Sequence, residues 1–363
     1  MNTETRVENV PGPKKKMTSI EILGLVVLIL FLGTIFVNPQ FLSGLFEAMF
    51  QKIYEVPIQL FLTGMVGVAI IASVIIGRIM ERLGFTDALI RIFVGLANKL
   101  KFNSAVIVPG VYNILGDINA AGKIAGPILV KAGATKDEQK IAVATMVQSQ
   151  QSFSTFMLGM MAMGLAGISV FPVIIIAVFL PLLIVPIILK YTIYRDTKGV
   201  KMDVLPRFTP TTAPLPTLFG AAKEGVELLL LLIIPAAAAI FGIIGALEYI
   251  GVWGPFEAWL GGALEFLSID PITGVISIVA APTLAMAMLV DSAPELAPRL
   301  VVGSFVLASS GLPLSVVFGQ IPTVWAEITD LSEKEALTAA LLGTFMRIIT
   351  ALVLAYLLTP LIT

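Results

Sequence analysis

Chemistry is most concentrated at Gln148-Ser149-Gln150-Gln151-Ser152-Phe153-Ser154-Thr155, which sets amides and hydroxyls side by side inside the charge-free run 141–189. Such groups both donate and accept hydrogen bonds, which suits a polar neutral solute, and unwinding a helix here would free carbonyls for a cation. A run this polar cannot all face lipid. It lines a cavity, or it ties one helix to its neighbours by hydrogen bonds. Gln148, Gln150, Gln151, Ser152 and Ser154 are therefore candidate solute ligands, and Ser149 a candidate ligand for a coupling ion.

A second concentration is Gly116-Asp117-Ile118-Asn119. Asp117 is the one acid in an otherwise apolar stretch of the first half, suited to binding an ammonium, coordinating Na+ or carrying a proton. Asp and Asn are also strong helix caps, so an N-cap role is equally open. Asn119 joins the candidate solute ligands. Glycines at 116, 122 and 126 permit close backbone approach.

Something must position these residues, and composition says what. Of the 363 residues 57% are hydrophobic and 13% charged, against about 25% charged in a soluble domain; mean hydropathy is +0.98. This is the composition of an integral membrane protein. The runs 22–46, 56–77, 141–189, 228–247, 300–326 and 348–363 lack Asp, Glu, Lys and Arg. Several are long enough for a spanning helix of roughly 20 residues, rather than a barrel strand of about 10. The net charge of −1 hides no basic domain, so no nucleic-acid partner is expected. With no Cys and no His, the chain offers no disulfide, thiolate, Cys/His metal site or imidazole chemistry. Paired carboxylates and activated nucleophiles are also missing at membrane depth, so the protein is not expected to be an enzyme.

The polar tail 1–19 leads to a first transmembrane helix and loop over 20–54; no A-x-A site follows, which argues against a signal peptide. The loop carries Phe41, Phe46 and Phe50. A helix from Val56 to Met80 follows, then an amphipathic stretch, Asp87 to Lys101, suited to the membrane surface. Residues 103–134 offer two apolar pieces too short to span, the pattern of a re-entrant hairpin. A helix from Gln139 to Leu165 and another from Val170 to Leu189 complete the unit 55–190. The Pro-rich basic linker 191–217 separates it from 218–363, where the same order recurs: a helix Val226 to Leu247, an amphipathic stretch 253–267, short pieces 271–280 and 283–290 around Ala281-Pro282, a helix Pro298 to Trp325 interrupted at Gly311-Leu312-Pro313, and a last helix 336–360. In the repeat, Ser309 and Ser310 take the place of the Gln/Ser run and join the candidate solute ligands, although helix packing suits them as well. Arg347, in the last helix, is expected to pair with Glu227 or to snorkel.

Basic residues in short loops stay cytoplasmic. Residues 78–140 hold nine Lys or Arg against five acids, whereas 248–299 holds one against six. The halves are thus expected to be inverted, with the N-terminus inside and, after about seven full spans, the C-terminus outside. The predicted fold is an all-α polytopic membrane protein of two inverted-topology repeats, each with a re-entrant hairpin, an amphipathic interfacial helix and a broken transmembrane helix. Secondary transporters with this plan bind at the midplane.

The hairpin Gly116 to Pro127, the connection Lys131 to Lys140, the polar helix Thr145 to Phe156 and their counterpart Pro282 to Gln320 resemble the nucleoside-recognition, or Gate, domain membrane proteins. This group includes spore-maturation-type proteins and is distantly related to concentrative nucleoside transporters and to the membrane core of ferrous iron transport protein B. The resemblance spans residues 55–360 and implies two opposed hairpins around a polar midplane site. The chain departs from it in lacking a G-Q-T-E-A-P-like segment, a phosphate loop and Cys. The expectation is a cell-membrane secondary transporter of a small polar or organic solute, nucleoside-like solutes included, coupled to Na+ or H+ and needing no cofactor beyond such an ion. The spore-maturation resemblance implies an alternative, a non-transporting scaffold or partner subunit; a homo-oligomer or a partner membrane subunit fits either reading.

Overall fold

A computed structural model describes residues 17–100, 103–116, 118–149, 151–199, 205–310 and 313–362. Every regular element among them is a helix. Helix α1, Ser19–Val37, opens on a Thr18/Glu21 capping box, buries none of its residues against the rest of the chain, and is long and apolar enough to cross a bilayer.

The expected loop after α1 is instead helical. Asn38 caps α2, Pro39–Leu62, and Pro39 sits in its first turn, where the missing N–H costs nothing. The face with Phe41 packs on a later helix, Pro214–Ile250, with the Phe41 and Tyr249 rings 5.3 Å apart. A Cβ on Gly245 would lie 2.6 Å from Ala48 O, so the two backbones touch there. Tertiary packing thus makes a helix of residues that read as a connection. At Thr63-Gly64 the chain bends by 47° into α3, Met65–Arg82.

Amphipathic α4, Phe85–Lys99, follows as expected. A short 3₁₀ turn at Ser104–Ile107 leads to α5, Val108–Asn113; α6, Ile118–Lys131, then forms the second arm of a hairpin whose arms pack on each other. The predicted helix 139–165 is the broken helix expected of the first repeat: α7, Lys136–Gln148, and α8, Phe153–Leu165. The backbone is extended at Ser149 and left-handed at Ser152, with φ 59°, and the Ser152 hydroxyl caps α8. A stretch rich in Ser and Gln competes for its own backbone, which is why the helix fails here. Helix α9, Val170–Thr192, closes the first half.

The second half begins earlier than expected, with α10 spanning Pro214–Ile250, because Pro214 starts the helix instead of ending the linker. Then come α11, Trp253–Phe266, and α12, Pro271–Val279, bent by 102° from it, too sharp for the pair to share one crossing. Helices α13, Pro282–Ser292, and α14, Pro298–Ala308, lead to a second break. Beyond it lie a π-helical turn, Ser315–Gln320, helix α15, Ile321–Ile328, the long α16, Glu333–Leu357, and the short α17, Thr359–Ile362.

The halves interlock reciprocally. Helix α8, distal to the first break, packs on α13 of the second hairpin, while α15, distal to the second break, packs on α6 of the first. Gly122 and Gly126 of α6 make that approach close, since a Cβ on them would meet Trp325 and Ile328 at 3.1 and 2.7 Å. Both α7 and α14 lie against α16. Among the described residues four helices (19–37, 170–192, 214–250 and 333–357) are each long and apolar enough to cross a bilayer; α2–α3 does so only as a bent pair. The predicted spans 139–165 and 298–325 are broken helices.

Candidate functional site

The two breaks meet. Gln151 N–H donates to Ser309 O at 2.7 Å, and Ser152 N–H donates to Asn113 O at 3.0 Å. Backbone groups that a continuous helix would use internally thus join break to break, and the first break to the end of hairpin arm α5. Ser149, Ser309 and Ser310 are fully buried, so the meeting point is occluded in this conformation.

Around the first break, Asn113 Nδ2 donates to Met146 O and to Ser149 Oγ, both at 3.3 Å, and Ser149 Oγ donates to Met146 O at 2.7 Å. Asn113 Oδ1 is buried with no partner. Burying an acceptor in this way costs about 1–3 kcal/mol. A carbonyl oxygen next to a serine hydroxyl and the carbonyls of a helix C-terminus is a set of hard ligands suited to Na+ or to a solute donor. On the far side, Ser152 Oγ lies 2.8 Å from Thr155 Oγ1, which lies 3.3 Å from Thr283 Oγ1 at the start of α13.

The second break is organised by Arg347. This fully buried side chain donates from Nε to Val306 O at 2.5 Å, from Nη1 to Gln148 O and Ala177 O at 2.8 Å each, and from Nη2 to Ser309 Oγ at 2.7 Å. It neither snorkels nor pairs with Glu227, whose carboxylate lies 3.6 Å from Lys223. Carbonyls without a helical donor satisfy it instead: those of Gln148 and Val306 near the ends of α7 and α14, and that of Ala177 inside α9, whose i+4 residue is Pro181. Ser310 Oγ donates to Leu307 O at 2.9 Å.

The predicted residues divide accordingly. Ser149, Ser152, Ser309 and Ser310 converge on the meeting point, joined by the backbone of Gln151; Ser154 is buried in the first turn of α8. Gln148 turns away, donating from Nε2 to Thr350 Oγ1 at 2.7 Å beside an apolar groove of about 420 Å³ between α9 and α16, and its buried Oε1 has no partner. Asp117 and Gln150 lie outside the described residues; Asn119 sits in the first turn of α6, but its side chain lies outside them too. Sequence reasoning passed over Asn113, Thr283, Thr350 and the role of Arg347, and gave Thr155 of the polar run no role of its own. Asn113 carried a signal, as the one amide in the apolar stretch 105–115, and Arg347 is the one charged residue in 336–363. Among the described residues no group of three or more His, Cys, Asp or Glu side chains is placed to hold a metal ion.

Away from the breaks, the linker is tied to the first half. The Asp87 carboxylate accepts from Phe208 N–H at 2.6 Å, from Thr209 N–H at 3.2 Å and from the Thr209 hydroxyl. Burial pushes the Asp87 carboxyl up, but these bonds and Arg207 outweigh it and hold it below the usual range. Phe208 also packs against Tyr112 of α5, with ring centroids 4.9 Å apart and the rings tilted by 51°.

No family model and no curated protein matches the chain. Solved structures do. A variant of CNTnw, a concentrative nucleoside transporter, in an outward-facing state aligns at TM-score 0.59 and 16% identity over 93% of this chain and 83% of that one. A second outward-facing variant gives 0.60 and 16% over 94% and 85%, and CNTnw in an inward-facing substrate-bound state gives 0.58 and 15% over 92% and 83%. The chain therefore has a transporter-like polytopic membrane fold, and its likeness is to transporters rather than enzymes.

Proposed function

We propose that this protein is a cell-membrane secondary transporter of a small polar organic solute, with its site where the two breaks meet. One observation carries the reading: the Gln151–Ser309 and Ser152–Asn113 backbone bonds bring both broken helices and a hairpin arm to one point, where the buried Asn113 Oδ1 remains without a partner. Broken helices are tolerated at membrane depth where they line a site, and that is where secondary transporters bind. Nucleosides lead the candidate solutes because the neighbouring structures are of CNTnw, one of them substrate-bound. Ser152, Ser154, Gln150, Gln151 and Asn119 supply the neutral donors and acceptors that a ribose or base requires. Ser149 and Asp117, with Asn113, hold the coupling cation, Na+ or H+.

The halves are inverted repeats, with the N-terminus and the linker cytoplasmic and the C-terminus outside. The repeated element order and the reciprocal α8–α13 and α6–α15 packing support this. The test is uptake of labelled nucleosides, nucleobases and amino acids into proteoliposomes, with and without inward Na+ or H+ gradients. Gradient-driven accumulation of one class is the expected result; no uptake and no solute-induced thermal shift would leave the scaffold reading in its place.

A further inference from the structure

Arg347 sits 14 residues into the 25-residue α16, about 21 Å along the helix axis from Glu333 and thus near the middle of a bilayer. It is fully buried, and among the described residues no carboxylate lies within 4 Å of it. A lone cation at that depth is costly unless paired. What surrounds it is a set of carbonyls released by the three places where helices are interrupted. The donor that Gln148 O would normally receive, Ser152 N–H, goes to Asn113 O; the donor for Val306 O, Ser310 N–H, goes to Leu307 O; and the donor for Ala177 O would come from Pro181, which has no N–H. Arg347 collects all three carbonyls and Ser309 Oγ, using four of the five N–H groups that a guanidinium carries. The C-termini of α7 and α14 each carry roughly half a negative charge, so two of them together balance one cation.

We infer that Arg347 is a tethered cation: its guanidinium occupies, permanently, a cation position built from the C-termini of both broken helices, and so holds the breaks together without a bound ion at that point. Arg347 is a positioning residue, acting on the site through Gln148, Val306 and Ser309. Because its charge is already balanced by the protein, it does not serve as the counter-charge of an anionic solute. The inference rests on the Arg347 geometry alone and stands whether or not the chain transports.

Chemical rescue tests it in the full-length protein. Arg347→Ala leaves a cavity that methylguanidinium fits, and the melting temperature, followed by tryptophan fluorescence, should fall by about 5–10 °C. Millimolar methylguanidinium should recover at least half of that fall, saturably, while leaving the wild type unmoved. If the alanine variant does not fold, Arg347→Lys against Arg347→Gln decides: both retain a donor but only lysine retains the charge, so lysine should be the more stable. A glutamine variant as stable as the lysine variant overturns the inference, as does a methylguanidinium shift of equal size in the wild type. Loss of transport in Arg347→Gln at an unchanged melting temperature, with small carboxylates competing for uptake by the wild type, would make Arg347 an anion ligand and also overturn it.

Discussion

Replacing Asn113 with leucine separates a ligand from a structural tie, because the structure makes the stability terms nearly cancel. The substitution removes two long hydrogen bonds, to Met146 O and to Ser149 Oγ, each 3.3 Å. Such bonds contribute about 0.5–1.5 kcal/mol apiece, or about 1–3 together. It also removes the buried, unpartnered Oδ1, whose desolvation costs about 1–3 kcal/mol. Leucine keeps the branched shape and atom count of the amide, the bulk of its two methyls costs about 1 kcal/mol where neighbours give way, and Met146 O keeps the Ser149 hydroxyl as donor. The melting temperature should therefore move by less than about 3 °C. If Oδ1 contacts a coupling cation or a solute donor, its loss removes about 1.5–3 kcal/mol of binding, a fall of roughly ten- to a hundredfold in affinity. The assay pairs a thermal melt in detergent with uptake into proteoliposomes across a range of Na+ and solute concentrations. Unchanged uptake and ion dependence would remove Asn113 from the site. A melting temperature lowered by about 8 °C or more, with uptake falling in proportion, would show instead that the amide is a structural tie.

Gly303 of α14 faces Ser268 O so closely that an added Cβ would overlap it, whereas Gly254 of α11 has open space; Gly303→Ala should cost about 1–3 kcal/mol or more, and Gly254→Ala should leave the melt unchanged. Asp87 lies below its usual range when folded, so the stability that it lends the linker is present above the unfolded value of about 3.9 and is lost as pH falls through the folded value. Asp87→Asn should reproduce that loss at neutral pH, seen as faster amide exchange at Phe208 and Thr209; equal protection in both proteins would refute the tie. In this cysteine-free chain, a cysteine at Leu361, which is 81% exposed, should react with an impermeant thiol reagent on intact cells and one at Lys198 should not. The opposite pattern would contradict the inverted repeat.

Sequence alone determined that the protein is helical and membrane-embedded, where most helices lie, that short apolar pieces pair as hairpins, and that two polar runs interrupt the hydrophobic pattern. These are one-dimensional properties: the length of an apolar run and the helix-breaking power of Ser, Gln, Gly and Pro act on neighbouring residues. Tertiary structure decided what lies far apart along the chain. Asn113 meets Met146 across 33 residues, and Arg347 meets Gln148 across 199. No local pattern encodes those pairings, since a buried amide or guanidinium is satisfied by whichever carbonyls the fold leaves open. The same holds for residues 39–55, which became helix because α10 covers them, and for Gln148, which belongs to the polar run by sequence but turns to Thr350. Breaks are written into local composition; their meeting, and the arginine held between them, come from packing two interlocked halves so that each freed carbonyl finds a donor.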